Sequence, residues 1–236
     1  MAIFHGQTVD MHEDFEDALD GSWVETDNDN NIDPNSAAAA LAGSAGMLLN
    51  LRGDTAGGED AFLGYDIGSA QTSMSYGIRL KLATSGTDYI FDTLAHSRDQ
   101  NAMGVFTTKI YLQRTGGVYK IRIRGTAFAD ITVASATVYW VTVQSVQDDT
   151  STMNVYGTDT VLVDSVTVTG GSGATNDAIT LGTDTPLDLD LDFYFDDLVA
   201  DWTDATFPLL GWDVGGAVAP TGTLFGPFGG PLRGVI

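Results

Sequence analysis

Met74-Ser75-Tyr76-Gly77-Ile78-Arg79-Leu80-Lys81-Leu82 carries its apolar groups on every second position. That is the period of a β-strand with one buried face, because successive strand side chains point to opposite sides. The same period recurs downstream. Ile110 and Leu112, then Tyr119, Ile121 and Ile123, read as two strands joined through Thr115-Gly116-Gly117, where glycine supplies the positive φ of a tight hairpin turn. Residues 137–146, 152–156 and 161–168 follow, rich in Val, Thr and aromatics and separated by Asp, Gly or Ser. Alternation dominates from about residue 47 to residue 200, and no helical i, i+3, i+4 stripe persists. A parallel sheet would need helical crossovers, which are missing, so the pattern predicts an all-β sandwich or barrel. Only the alanine-rich stretch 36–45 invites a short helix, and Gly43 and Gly46 limit it.

Composition narrows the function classes. Thirty-two Asp and Glu against ten Lys and Arg give a formal charge of -22, which repels phosphate backbones, so nucleic acid is not an expected partner. Without cysteine there is neither a disulfide frame nor a thiolate metal site. The first 14 residues have no basic stretch and no apolar run of the kind a secretion signal needs, so synthesis in the cytoplasm is expected. No apolar run approaches the roughly 18 residues of a spanning helix, and no membrane association is expected.

The segment 205–236 has only Asp213 and Arg233 as charged residues, yet carries Phe207, Leu210, Trp212, Phe225, Phe228, Leu232 and Ile236 among glycines and prolines. Gly226-Pro227-Phe228-Gly229-Gly230-Pro231 breaks any regular helix or central strand, so an extended arm that seats its apolar groups on another surface is expected. The division that follows is an N-terminal arm at 1–13, a body at 14–204 and a C-terminal arm at 205–236.

Asp14-Phe15-Glu16-Asp17 with Gly21-Ser22-Trp23 near the start, and Phe193-Tyr194-Phe195-Asp196-Asp197-Leu198-Val199 near the end, flank Tyr139-Trp140-Val141-Thr142-Val143. This arrangement resembles the concanavalin A-like lectin/glucanase jelly rolls, laminin-G-like and carbohydrate-binding modules among them. The resemblance covers roughly residues 14–200 and implies a two-sheet antiparallel jelly roll. It also implies a structural calcium where the first and last strands meet, with Glu16 and Asp197 as ligands and Asp14 or Asp196 assisting. Calcium gathers six to eight oxygens, which suits neighbouring carboxylates that otherwise repel.

The glucanase branch of that resemblance invites catalysis, but its Glu-x-Asp-x-x-Glu pattern does not occur here. Asp188, Asp190 and Asp192 alternate along one strand and read as a charged face that guards a sheet against unwanted pairing. The acidic run at 27–33 fails the calcium-loop test, with Ile32 where glycine belongs. Arg52-Gly53-Asp54 is too short a match to carry meaning. His5, His12 and His96 lack the spacing of a helical zinc motif, and no phosphate-binding loop or nucleophile elbow is present. The chain is therefore expected not to be an enzyme.

Lys120, Arg122 and Arg124 share one face of a strand whose other face is Tyr119, Ile121 and Ile123. They form either a solvated face paired with carboxylates or a basic stripe that docks an acidic partner. Trp23, Trp140, Trp202 and Trp212 are the candidate sugar-stacking aromatics, with Trp140 expected in the core. Lectin-like modules with Gly-Pro-Phe-Gly tails resemble structural proteins of tailed bacteriophages. The expected function is thus a homo-oligomeric capsid decoration or cement protein of the virion, bound to the major capsid protein or other virion subunits. The alternative is a glycan-binding module of a tail fibre or cell-surface protein.

Overall fold

A computed structural model describes residues 2–4, 7–27, 31–51, 61–158, 161–171, 176–184 and 191–203. Arg52-Gly53-Asp54, Asp188, Asp190 and the whole segment 205–236, with Phe207 through Ile236, lie outside the described residues. The strands are β1 (Ala2–Phe4), β2 (Gln7–Val9), β3 (Met11–Glu13), β4 (Trp23–Asp27), β5 (Ile32–Ser36) and β6 (Gly46–Leu51). Then come β7 (Ala61–Gln71), β8 (Ser73–Lys81), β9 (Tyr89–Asp99), β10 (Ala102–Thr115), β11 (Val118–Arg124) and β12 (Phe128–Val133). The last five are β13 (Val138–Val146), β14 (Thr150–Tyr156), β15 (Leu162–Thr169), β16 (Asn176–Thr183) and β17 (Leu191–Asp201).

These strands form the expected antiparallel sandwich. One sheet of seven runs in the order β12-β11-β10-β9-β16-β7-β4. The other, of eight, runs β15-β14-β13-β8-β17-β6-β5, with β3 also paired to β17. The inward positions read from the sequence are the inward positions found: Ile78, Leu80, Ile110, Leu112, Ile121 and Ile123 are wholly buried in one core cluster. Two polar contacts tie the sheets across that core, Tyr76 to Thr108 at 2.8 Å and His96 Nδ1 to Ser145 Oγ at 3.0 Å. The turn between β10 and β11 is made by Gly116 and Gly117, both with positive φ, 58° and 84°, as a two-residue hairpin loop requires. The alanine run gives a single 3-10 turn, Ala37–Ala39.

Within the segment expected as an N-terminal arm, 1–13, the described residues form three short strands. β3 pairs with β17, and β1 and β2 form a hairpin over the outer side of the eight-stranded sheet. Beneath that hairpin lies Trp140. It points away from the main core, and Phe4 and Val9 cover it, Phe4 stacking at 5.5 Å between ring centroids. Trp140 is buried as expected, at 1% exposure, but under the chain's own N-terminus. Gly77 makes room for it: a Cβ there would stand 2.7 Å from the indole.

Candidate functional site

The seven-stranded sheet has one face on the core and one turned away from it. Register assigns the outer face directly. Across β10, β11 and β12 it carries Lys109 opposite Arg124 and then Phe128, Tyr111 opposite Arg122 and then Asp130, and Gln113 opposite Lys120 and then Thr132. The alternate positions Ile110, Ile121, Ile123 and Ile131 are core. Three short rows of cation, aromatic and polar groups thus lie side by side, fixed by the pleat alone.

An irregular hairpin completes the patch. The pairing of β9 and β10 slips between Ala102 and Phe106, again between Phe106 and Thr108, and a third time between Ile110 and Tyr111. Bulges bend and twist a strand. Here Phe62, Ala95 and Met103 form a small separate cluster with Phe106 packed on it, and Phe106 stands over the charged rows. Lys109 Nζ lies 4.9 Å from its ring centre, and the Arg124 guanidinium 5.4 Å from it and 5.2 Å from that of Phe128. The Arg122 guanidinium lies 4.2 Å from the Phe128 ring, and Tyr111 meets Phe128 edge-on at 5.2 Å. Phe128 itself is 42% exposed, an aromatic surface open to a ligand.

The cations of this face are not equivalent. Lys109 is buried and ion-paired to Asp92 at 2.6 Å, with Asp184 at 3.7 Å. Burial works against ionisation of Asp92, but the Lys109 charge and the hydrogen bonds donated by Lys109 and Thr183 hold its carboxyl below the ordinary range. Lys120 and Arg122 share Asp130, at 2.8 and 2.5 Å. Arg124 donates to the Tyr111 hydroxyl at 3.3 Å, and no carboxylate pairs with it among the described residues.

The four carboxylates that the resemblance assigned to calcium are each engaged otherwise. β17 breaks its alternation at a bulge between Asp196 and Val199, where Asp197 takes a positive φ of 49°, so the two acids depart in different directions. Asp196 accepts the amides of Leu41, Ala42 and Asp197 at 2.9, 2.6 and 2.9 Å. Asp197 is bound by Arg79 at 2.6 Å and by His12 at 3.0 Å. Glu16 accepts the amide and hydroxyl of Ser44, and Asp14 accepts the amide of Glu16 at 3.1 Å. N–H and O–H donors and a guanidinium engage Asp196, Asp197 and Glu16 and one oxygen of Asp14, so these carboxylates are satisfied within the chain rather than converging on one ion. Among the described residues no three acidic or histidine side chains form a metal-binding group.

Trp23, Trp140 and Trp202 each pack against the chain's own side chains. Trp23 donates its indole N–H to Glu13 at 3.1 Å and meets Tyr65 edge-on, and Trp202 packs on the same tyrosine. Trp212 lies outside the described residues. On the opposite sheet, a pocket of about 320 Å³ is lined by Lys81, Thr84, Asp192 and Tyr194 among others, with the lysine 5.1 Å from the tyrosine ring centre.

No protein-family model matches the sequence, and no curated protein matches it. Solved structures do. The endo-β-1,4-glucuronan lyase of Trichoderma reesei is 12% identical with a TM-score of 0.55, over 83% of this chain and 96% of that one. The cellulose-induced protein Cip1 is 14% identical with a TM-score of 0.56, over 82% and 98%. The receptor-binding domain of botulinum neurotoxin D is 10% identical with a TM-score of 0.48, over 79% of this chain and 46% of that one, so this chain spans less than half of it. The fold is that of the concanavalin A-like lectin/glucanase jelly rolls.

Proposed function

We propose that the chain is a non-enzymatic carbohydrate-binding module whose binding surface is the outer face of the seven-stranded sheet. The observation that carries this reading is the exposed Phe128 ring set beside Tyr111, Arg122 and Arg124 on rigid paired strands. Sugar rings dock on aromatic faces through their C–H groups, while guanidinium and hydroxyl groups beside them fix orientation. Strand-borne side chains hold such a constellation more tightly than loops do. The glucuronan lyase that shares the fold is named for a polysaccharide, which agrees with this reading. Its test is a glycan array probed with the whole chain and with Phe128→Ala. Saturable binding to a glycan by the parent, lost or strongly weakened in the variant, is expected; undiminished binding by the variant would refute the assignment of the face.

The reading as a decoration protein of a bacteriophage shell rests on the apolar arm 205–236, which is outside the described residues. It remains the second proposal because of that arm's composition. Its test is attachment to shells by a chain lacking 205–236, where full attachment would refute an arm-based mechanism.

A further inference from the structure

Resting on the reading of this face as a carbohydrate site, we infer that its ligand is an acidic polysaccharide, with a carboxylate or sulfate group of the polymer seated on Arg124. The chain has about three acids for every base, yet four of its ten cations, Lys109, Lys120, Arg122 and Arg124, stand together on the outer face of β10 and β11. Lys109 and Arg124 are direct cross-strand partners, an arrangement of like charges that is unfavourable by itself. Lys109 is relieved by Asp92 and Asp184. Lys120 and Arg122 are relieved by Asp130. Arg124 has no such relief among the described residues, and it is exposed.

Arg124 also has capacity to spare. A guanidinium carries five N–H donors in a planar fork matched to carboxylate and sulfate oxygens, and Tyr111 takes one of them. Phe106 and Phe128 flank the group at 5.4 and 5.2 Å, which limits its freedom and lowers the ordering cost of a bidentate contact. The overall charge of -22 does not forbid a polyanion here. At physiological ionic strength charges are screened beyond about 8 Å, so the local balance at the patch decides, and there four cations face three carboxylates. A neutral glycan would leave Arg124 uncompensated; an acidic one supplies the missing partner.

The test uses the whole chain and four probes: polyglucuronate, its carboxyl-reduced form, chondroitin sulfate and single-stranded DNA. Binding is measured by calorimetry with the parent, Arg124→Gln and Arg124→Lys, each checked for an unchanged thermal midpoint. The expected result is binding of polyglucuronate or chondroitin sulfate but not the carboxyl-reduced polymer. Arg124→Gln should weaken it by about tenfold or more, as loss of a charge-assisted hydrogen bond does, and Arg124→Lys should restore part of it. Equal affinity for the carboxyl-reduced polymer would overturn the acidic ligand while leaving the carbohydrate site standing. DNA bound as tightly as the polysaccharides, or an Arg124→Gln variant of parental affinity, would overturn the inference. No binding of any polysaccharide in this set would overturn it too, and a glycan array with no saturable binding would remove the carbohydrate reading with it.

Discussion

Lys109 and Arg124 face each other across β10 and β11 as direct register partners, two cations side by side on one sheet face of an acidic protein. The Phe106 ring stands near both, 4.9 Å from the lysine and 5.4 Å from the arginine. What separates them chemically is burial. Lys109 is sunk at 3% exposure beside Asp92, whereas Arg124 is open to solvent. One cation belongs to the scaffold and the other to the surface.

Removing the scaffold counterion should therefore be costly. Asp92→Asn leaves the Lys109 charge buried without its main partner, and a loss of about 3 kcal/mol or more in unfolding free energy is expected. Urea denaturation measures it. A change under 1 kcal/mol would mean that Lys109 reaches solvent, contrary to the geometry described.

At the junction of the first and last strands, Arg79 stands against Asp197 where the resemblance implied calcium. Burial raises the Asp197 carboxyl, but the His12 hydrogen bond and the Arg79 charge outweigh it and hold the group below its ordinary value. A chelator should leave the thermal midpoint where it is, and Arg79→Met should lower stability by roughly 3 kcal/mol. A midpoint that falls with chelator and returns with added calcium would show that the arginine does not replace the ion.

His96 sets an acid limit. Burial pushes the imidazole down to about 4, from an ordinary value near 6.5, so the folded state resists a proton that the unfolded chain accepts. Its contribution is complete above pH 6.5 and is lost as pH falls toward 4, by roughly 3 kcal/mol in all. Asp196 acts in the opposite sense. Burial first, then the Asp197 charge, lift it to about 6 against the amides that bind it, so lowering the pH through that value favours the folded state. Urea midpoints of the parent and of His96→Asn across pH 4 to 7 separate the two: the variant should lose the downward slope and keep the Asp196 contribution. Parallel curves would remove His96 as the cause.

The N-terminal hairpin should behave as part of the body. Phe4→Ala uncovers Trp140 and is expected to cost about 3 kcal/mol and shift tryptophan emission to the red. Gly77→Ala presses on the same indole from below and should give a similar shift. Unchanged emission in both variants would show that the hairpin does not cover the ring.

The sandwich was legible because alternation survives wherever one face is buried, as at Ile78 and Leu80 or Ile121 and Ile123. The departures were hidden where that period breaks. The bulge at Asp197 sends neighbouring carboxylates apart, which no count of spacing reveals, and the slips around Phe106 bring its ring beside Arg124, eighteen residues on. Lys120, Arg122 and Arg124 were visible as one face, and the structure places them together. Phe128 and Tyr111 do not stand out in the sequence, where the four tryptophans are the plainer sugar-stacking candidates. The signal was present in Phe128-Ala129-Asp130-Ile131-Thr132-Val133, whose alternate members Phe128, Asp130 and Thr132 complete the rows.

The most direct trial of the carbohydrate-binding face is an NMR titration of the chain with an oligosaccharide drawn from whichever glycan it binds. Shifts and line broadening should gather on the side chains of Tyr111, Arg122, Arg124 and Phe128, with Tyr194→Ala on the opposite sheet leaving affinity unchanged. Perturbations confined to Lys81 and Tyr194, with Phe128→Ala binding as the parent does, would contradict the account.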